Sequence, residues 1–220
     1  MSRLEKVIFD MDGLIFDTER LFMEEQMKIV REYGYSLTRN MYVQTLGLTG
    51  RALSEKLRMM FGDGYPEKEV TRRVRARIDE RARTDGLPLK PGIRELLDFL
   101  RGKEILCAVA SSTHTPYVRR YLESAGLDGY FADIIGGEMT EHSKPAPDIF
   151  IKAAGAAKRE YTLVLEDSEN GIRAAAAAGI PVICIPDMLH PSAEVTALAE
   201  FTVSSAAEVI GIVRGKYENT

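Results

Sequence analysis

The chain has 220 residues, 45% of them hydrophobic, which is enough for one good core and a smaller second one. No run of 18 apolar residues and no basic stretch leading into a long apolar one occurs, so the sequence predicts neither a membrane span nor a signal peptide, and a cytoplasmic location is the default expectation. A net charge of −4 argues against nucleic-acid binding as the main task, and the two cysteines, Cys107 and Cys184, each inside an apolar run, read as small core residues rather than a disulfide or metal site.

The first predicted element is a buried strand. Val7, Ile8 and Phe9 are apolar, and Asp10, Met11, Asp12 and Gly13 follow at once. Asp10 and Asp12 point to the same side of an extended segment, where two like charges repel, so a cation or a proton must hold them together. Gly13 lets the chain turn away.

Residues 18–85 contain no strand-like run and read as helical throughout. Thr18 can cap a helix with Phe22, Met23, Met27, Val30 and Tyr33 on its apolar side and Gly34 at its end. A second helix near residues 66–83 has Val70, Val74, Ile78 and Ala82 at four-residue spacing. The arginines on its flanks read as a solvated face, with Arg73 and Arg77 near enough to the apolar stripe to reach a cleft. Residues 87–92 form the return linker, and Pro91 is placed to open the next helix.

From there strands and helices alternate. Strands are predicted over residues 105–110, 134–135, 163–165, 182–185 and 201–203, with helices near 117–124, 148–154, 171–178 and 206–213. That rhythm implies an α/β protein: a Rossmann-like parallel sheet with helices on both faces, built from residues 1–16 and 87–220 and interrupted by an all-helical insertion over 17–86. In such a sheet ligands bind at the carboxyl ends of the strands. Polar groups stand at four of these ends: Asp10 with Asp12; Ser111, Ser112 and Thr113; Lys144 in a loop before a helix; and Glu166 with Asp167. Taken singly, each has a plainer reading. A strand-end Asp can form a turn, Ser111 can cap the helix that starts near His114, and Lys144 can be a loop lysine. Together, carboxylates, a hydroxyl and a lysine at one edge suit a magnesium ion and a phosphoryl group.

Asp10-Met11-Asp12-Gly13, Ser111, Lys144-Pro145 and Glu166-Asp167, in this order and approximate spacing, resemble the four motifs of the haloacid dehalogenase superfamily. The stretch from Asp10 to Glu19, the run from Ser143 to Phe150 and the run from Leu165 to Ile172 resemble most the subfamily that holds sugar-phosphate phosphatases, phosphoglycolate phosphatases and β-phosphoglucomutase. The resemblance implies that Asp10 is a nucleophile forming an aspartyl phosphate, and that Asp12 protonates the leaving oxygen and later deprotonates water, its backbone carbonyl touching the metal. It implies a Mg2+ site completed by Asp167, with Glu166 joining directly or through water. Ser111 and Lys144 would hold the phosphoryl oxygens, with Ser112 as a further substrate-binding candidate.

Residues 17–86 would be a small helical cap that opens and closes on hinges near 16–17 and 86–88. Arg51, in the segment Leu46-Gly47-Leu48-Thr49-Gly50-Arg51, either binds a remote anionic group of the substrate or is a plain surface arginine. The expected activity is a phosphatase acting on a small phosphorylated metabolite, with no nucleic-acid or membrane partner, as a monomer or weak dimer. A β-phosphoglucomutase-like mutase is the alternative; that enzyme carries a histidine near the start of its first cap helix where this chain has Phe22. A signalling phosphoacceptor would also pair acids, a hydroxyl and a lysine, but the insertion and the Asp-x-Asp spacing count against it.

Overall fold

The structure, a computed structural model, describes residues 4–48 and 50–217. It begins with strand β1 (Lys6–Phe9), and four helices follow: α1 (Thr18–Glu32), α2 (Arg39–Val43), α3 (Gly50–Phe61) and α4 (Glu67–Thr84). The chain then alternates through α5 (Ile93–Gly102), β2 (Leu106–Ala110), α6 (Thr115–Ser124), β3 (Phe131–Ile135), α7 (Asp148–Ala154) and β4 (Thr162–Glu166). It closes with α8 (Glu169–Ala178), β5 (Val182–Cys184), α9 (Ala193–Thr196), β6 (Phe201–Thr202) and α10 (Ala206–Tyr217). Two compact units result, one from residues 1–17 with 87–220 and one from 18–86. Among the described residues no helix is long and apolar enough to cross a membrane.

The larger unit is a six-stranded parallel sheet in the order β3-β2-β1-β4-β5-β6. Every residue of β1 and β4 is buried, as two-sided covering of central parallel strands requires. Phe9 pairs with Val109 on one side and Leu165 on the other, so Asp10, Ala110 and Glu166 emerge level with one another. Strand order reverses between β1 and β4, which makes this edge the place where a crevice opens in a doubly wound sheet.

Three sequence expectations shift locally. Strand β3 starts at Phe131 rather than at residue 134, because polar Asp133 inside it pairs with the buried Lys6 of β1 at 2.7 Å. Pro91 does not open α5: Gly92, left-handed at φ +83°, is its N-cap, and the helix starts at Ile93. Asp17 stays with the sheet unit, since its N–H donates to the Pro88 carbonyl and Phe16 bridges Leu89 antiparallel, so the outgoing and returning chains pair.

In the helical unit α1 packs along α4. Val70, Val74, Ile78 and Ala82 form the buried stripe of α4. On α1 the buried face is Leu21, Glu25, Ile29 and Val30; Phe22, Met23 and Met27 are only partly covered and Tyr33 is exposed. The reason is Glu25, a buried carboxylate held by Lys28 at 2.6 Å with Arg77 of α4 at 3.7 Å. Arg73 meets Glu32 at 2.5 Å. Both arginines that could have reached a cleft are therefore joined to acidic groups of α1. Thr18 is the first residue of α1 rather than its cap, and its buried hydroxyl has no hydrogen-bond partner.

The fit around Gly92 is tight. A Cβ there would lie 2.3 Å from the Ala207 backbone nitrogen, whereas one at Gly126 (φ +64°) would meet nothing within 4 Å. Gly126→Ala should cost only the left-handed strain, about 1–2 kcal/mol. Gly92→Ala adds a backbone clash, and its melting temperature should fall about twice as far in parallel thermal melts. Equal losses would show that α5 and α10 separate freely.

Candidate active site

Lys144 lies in the loop before α7, followed by a cis peptide bond to Pro145. Its ammonium donates to Asp10 Oδ1 at 2.5 Å, to Glu166 Oε1 at 2.7 Å and to the Ala110 carbonyl at 3.1 Å. An ammonium has three protons, so all three are used. The three acceptors come from the ends of β1, β4 and β2, and the level register of those strands is what lets one side chain reach them all. Burial alone would lower the Lys144 pKa, but Asp10 and then Glu166 more than offset this and hold it above its ordinary value.

Glu166 is fully buried. Its Oε2 accepts from the N–H groups of Asp167 (2.9 Å) and Ser168 (3.0 Å) and from the Ser168 hydroxyl (2.9 Å). Ser168 in turn caps α8, its Oγ accepting from the Gly171 N–H at 3.1 Å. In this geometry Glu166, expected among the metal-ligating carboxylates, is engaged through both oxygens by Lys144 and by the β4–α8 turn. A Cβ at Gly171 would lie 1.7 Å from Glu166 Oε1, so the glycine makes room for the carboxylate.

Asp10 and Asp12 sit in different surroundings. Asp10 is buried against Lys144; desolvation, opposed by Lys144 and reinforced by Glu166 and Asp12, pushes its carboxyl up to about 8. Asp12 is partly exposed, and its Oδ2 accepts from the Thr113 hydroxyl at 2.8 Å and the Ser111 hydroxyl at 3.3 Å. Ser111 Oγ also accepts from the Thr113 N–H at 3.0 Å, which fixes both hydroxyls on the same turn. Ser111 is thus brought to the carboxylates, while Ser112 is exposed, its carbonyl against the position of Gly137. Arg51 belongs to the helical unit, where it is exposed and paired with Glu55 at 2.7 Å.

Asp167 completes the cluster. Desolvation, with Glu166, Asp10 and Asp187 as neighbouring charges, raises its carboxyl well above the usual range. A Cβ at Gly13 (φ +83°) would meet Asp167 Oδ2 at 2.3 Å and Asp187 Oδ2 at 3.3 Å, so only glycine lets the turn after β1 pass this close. Sequence reasoning missed two residues here, Thr113 as a partner of Asp12 and Asp187 altogether. Asp187 closely follows β5, so the rule that polar groups gather at strand ends, extended to β5, would have found it.

Five carboxyl groups, those of Asp10, Asp12, Glu166, Asp167 and Asp187, therefore stand near two ammonium groups, those of Lys144 and Lys90. Among the described residues no three Asp, Glu, His or Cys side chains converge closely enough to enclose a metal ion; Asp10 and Glu166 are drawn toward Lys144 instead. Hard oxygen donors in excess of nearby cations, with one buried carboxylate oxygen of Asp187 lacking any partner, nevertheless fit a small divalent cation.

The family model of haloacid dehalogenase-like hydrolases matches residues 7–185. Phosphorylated carbohydrates phosphatase of Thermotoga maritima is 31% identical over 182 residues, spanning 80% of this chain and 82% of that protein. Hexitol phosphatase B of Escherichia coli is 28% identical over 212 residues, 92% of each. The crystal structure of CbbY from Rhodobacter sphaeroides, in complex with phosphate, superposes with a TM-score of 0.78 at 29% identity, over 94% of this chain and 96% of that one.

The Gly171–Glu166 contact makes a signed prediction. Alanine is the better helix former by about 1 kcal/mol, so propensity alone says Gly171→Ala stabilises α8. The overlap with Glu166 says the reverse, and chemical denaturation should give a net loss. That loss should shrink in the Glu166→Ala background, where the space is empty. A stabilised Gly171→Ala protein would mean Glu166 can leave Lys144 at little cost.

Proposed function

We propose that this chain, which belongs to the haloacid dehalogenase-like hydrolases, is a magnesium-dependent phosphatase that hydrolyses a small phosphorylated metabolite of the sugar- or polyol-phosphate type through an aspartyl phosphate on Asp10. The observation that carries the reading is the contrast between two carboxylates at one strand end: Asp10 on an ammonium, Asp12 on two hydroxyls. Groups of one type in unlike settings can divide nucleophile and acid–base work between them.

In the first step an Asp10 oxygen bonds to phosphorus as the bond to the leaving oxygen breaks, and Asp12 gives that oxygen its proton. In the second, Asp12 takes a proton from water, the water oxygen bonds to phosphorus, and the Asp10–phosphorus bond breaks to release inorganic phosphate. Lys144 offsets the negative charge of Asp10, so that the carboxylate can meet a phosphoryl dianion. Since all three Lys144 protons are occupied, contact with a phosphoryl oxygen requires it to exchange one acceptor.

Ser111 and Thr113 orient Asp12, and Ser111, buried and bonded to Asp12, is a better candidate for a phosphoryl oxygen than the exposed Ser112. A magnesium ion would be held by Asp10, the Asp12 backbone and Asp167, and would supply charge for the phosphoryl oxygens. Glu166 serves this site through Lys144 rather than as a ligand. The substrate class rests on relatives named for phosphorylated carbohydrates and hexitols. The role of residues 18–86 as a cap, and of Arg51 within it, rests on the family resemblance.

Purified protein with magnesium should release phosphate from a panel of sugar and polyol phosphates, and Asp10→Asn should lower the rate on the order of 10³-fold or more. Asp12→Asn should lose about 10²–10⁴-fold on these alkyl esters. On p-nitrophenyl phosphate, whose leaving group needs no proton, it should instead give a stoichiometric nitrophenolate burst from a trapped phosphoenzyme. Turnover that survives Asp10→Asn would overturn the mechanism. Bisphosphate-primed isomerisation of β-glucose 1-phosphate faster than phosphate release would replace hydrolysis with phosphoryl transfer.

A further inference from the structure

Asp187 lies just past β5, with 8% of its side chain exposed. One carboxylate oxygen, Oδ1, is ion-paired to Lys90, whose own backbone N–H donates to the Ile15 carbonyl at 2.9 Å in the turn after β1. The other, Oδ2, is buried and accepts no hydrogen bond. A carboxylate oxygen removed from water with no donor is costly, and a bound water or ion is among the things that offset that cost.

The surroundings say where that supply comes from. Asp187 Oδ2 and Asp167 Oδ2 both lie against the one point where a Gly13 Cβ would stand, at 3.3 and 2.3 Å. Two carboxylate oxygens thus crowd the same small volume beside the Asp10–Asp12 turn. Neither nearby ammonium can serve it: Lys144 has spent its three protons on Asp10, Glu166 and Ala110, and Lys90 holds the opposite oxygen. Packing holds the like charges together in a place that a cation would relieve.

We propose that Asp187 is a further acidic member of the cation site, its Oδ2 turned toward the hydrated ion beside Asp167, and that Lys90 is the positioning residue that holds it there. This rests on the magnesium reading given above. Because Mg2+ gives up its water reluctantly, a carboxylate that accepts hydrogen bonds from the ion's hydration shell suits it well. Outer groups of this kind set metal affinity without binding the metal themselves.

Titration calorimetry with MgCl2, in the absence of substrate, tests the assignment. Wild-type protein should bind, Asp167→Asn should not, and Asp187→Asn should bind about 10- to 100-fold more weakly. Lys90→Met, which keeps the carboxylate, should retain more affinity than Asp187→Asn. The double variant Asp187→Asn/Lys90→Met leaves no stranded lysine and should repeat the loss even where the single variant folds poorly. The magnesium-dependent rise in melting temperature should shrink in step with these affinities.

Wild-type affinity in Asp187→Asn, with binding lost in Asp167→Asn, would overturn the role of Asp187 alone and leave it a partner of Lys90. No binding by wild-type protein would overturn the magnesium reading and this proposal together.

Discussion

The site depends on one buried ammonium. Lys144 joins the carboxyl ends of β1, β2 and β4 by donating to Asp10, Ala110 and Glu166. Without it Asp10 and Glu166 would be two buried like charges at adjacent strand ends. Removing one partner of such a buried set costs about 3–5 kcal/mol, because what remains is an uncompensated charge. The price of the arrangement is that the lysine is fully committed and must give something up before it can serve another oxygen.

Everything near it is arranged around that commitment. Gly171 leaves the volume that Glu166 fills, and Ser168 ties the same carboxylate to the start of α8. Gly13 leaves the volume against which Asp167 and Asp187 rest. Two glycines thus stand where side chains would displace carboxylates, Gly13 in the turn leaving β1 and Gly171 in the first turn of α8 after β4. The sheet supplies the rigidity: its central strands β1 and β4 are buried throughout, so their ends hold a fixed register while the side chains beyond them carry the charge.

The charge balance separates stability from chemistry. A protein selected for folding alone would not keep Asp10 with a carboxyl pushed up to about 8, Asp167 raised beside it, and an Asp187 oxygen without a partner. Such groups cluster where a ligand is awaited. The helical unit handles charge differently. There Glu25 and Glu32 of α1 meet Arg77 and Arg73 of α4, so its charged groups are used to fasten two helices together.

Much of this was legible in the chain itself, because strand and strand end are local features. An apolar run followed by acids marked Asp10 and Asp12, and the same pattern marked Glu166 and Asp167; the alternation of strands and helices gave the parallel α/β sheet. Where a polar residue sat inside an element the reading failed: Asp133 hid most of β3, and Glu25 turned the buried face of α1 away from Phe22 and Met27. The partners of each acid were not legible either. That Glu166 serves Lys144, that Thr113 holds Asp12, and that Asp187 comes to Asp167 over Gly13 all follow from strand register and side-chain rotamers. Periodicity fixes which residues stand at a strand's end, since it depends on neighbours in sequence. Which of them share a proton or a charge depends on distances of a few ångströms between residues a hundred positions apart, and only the assembled sheet sets those.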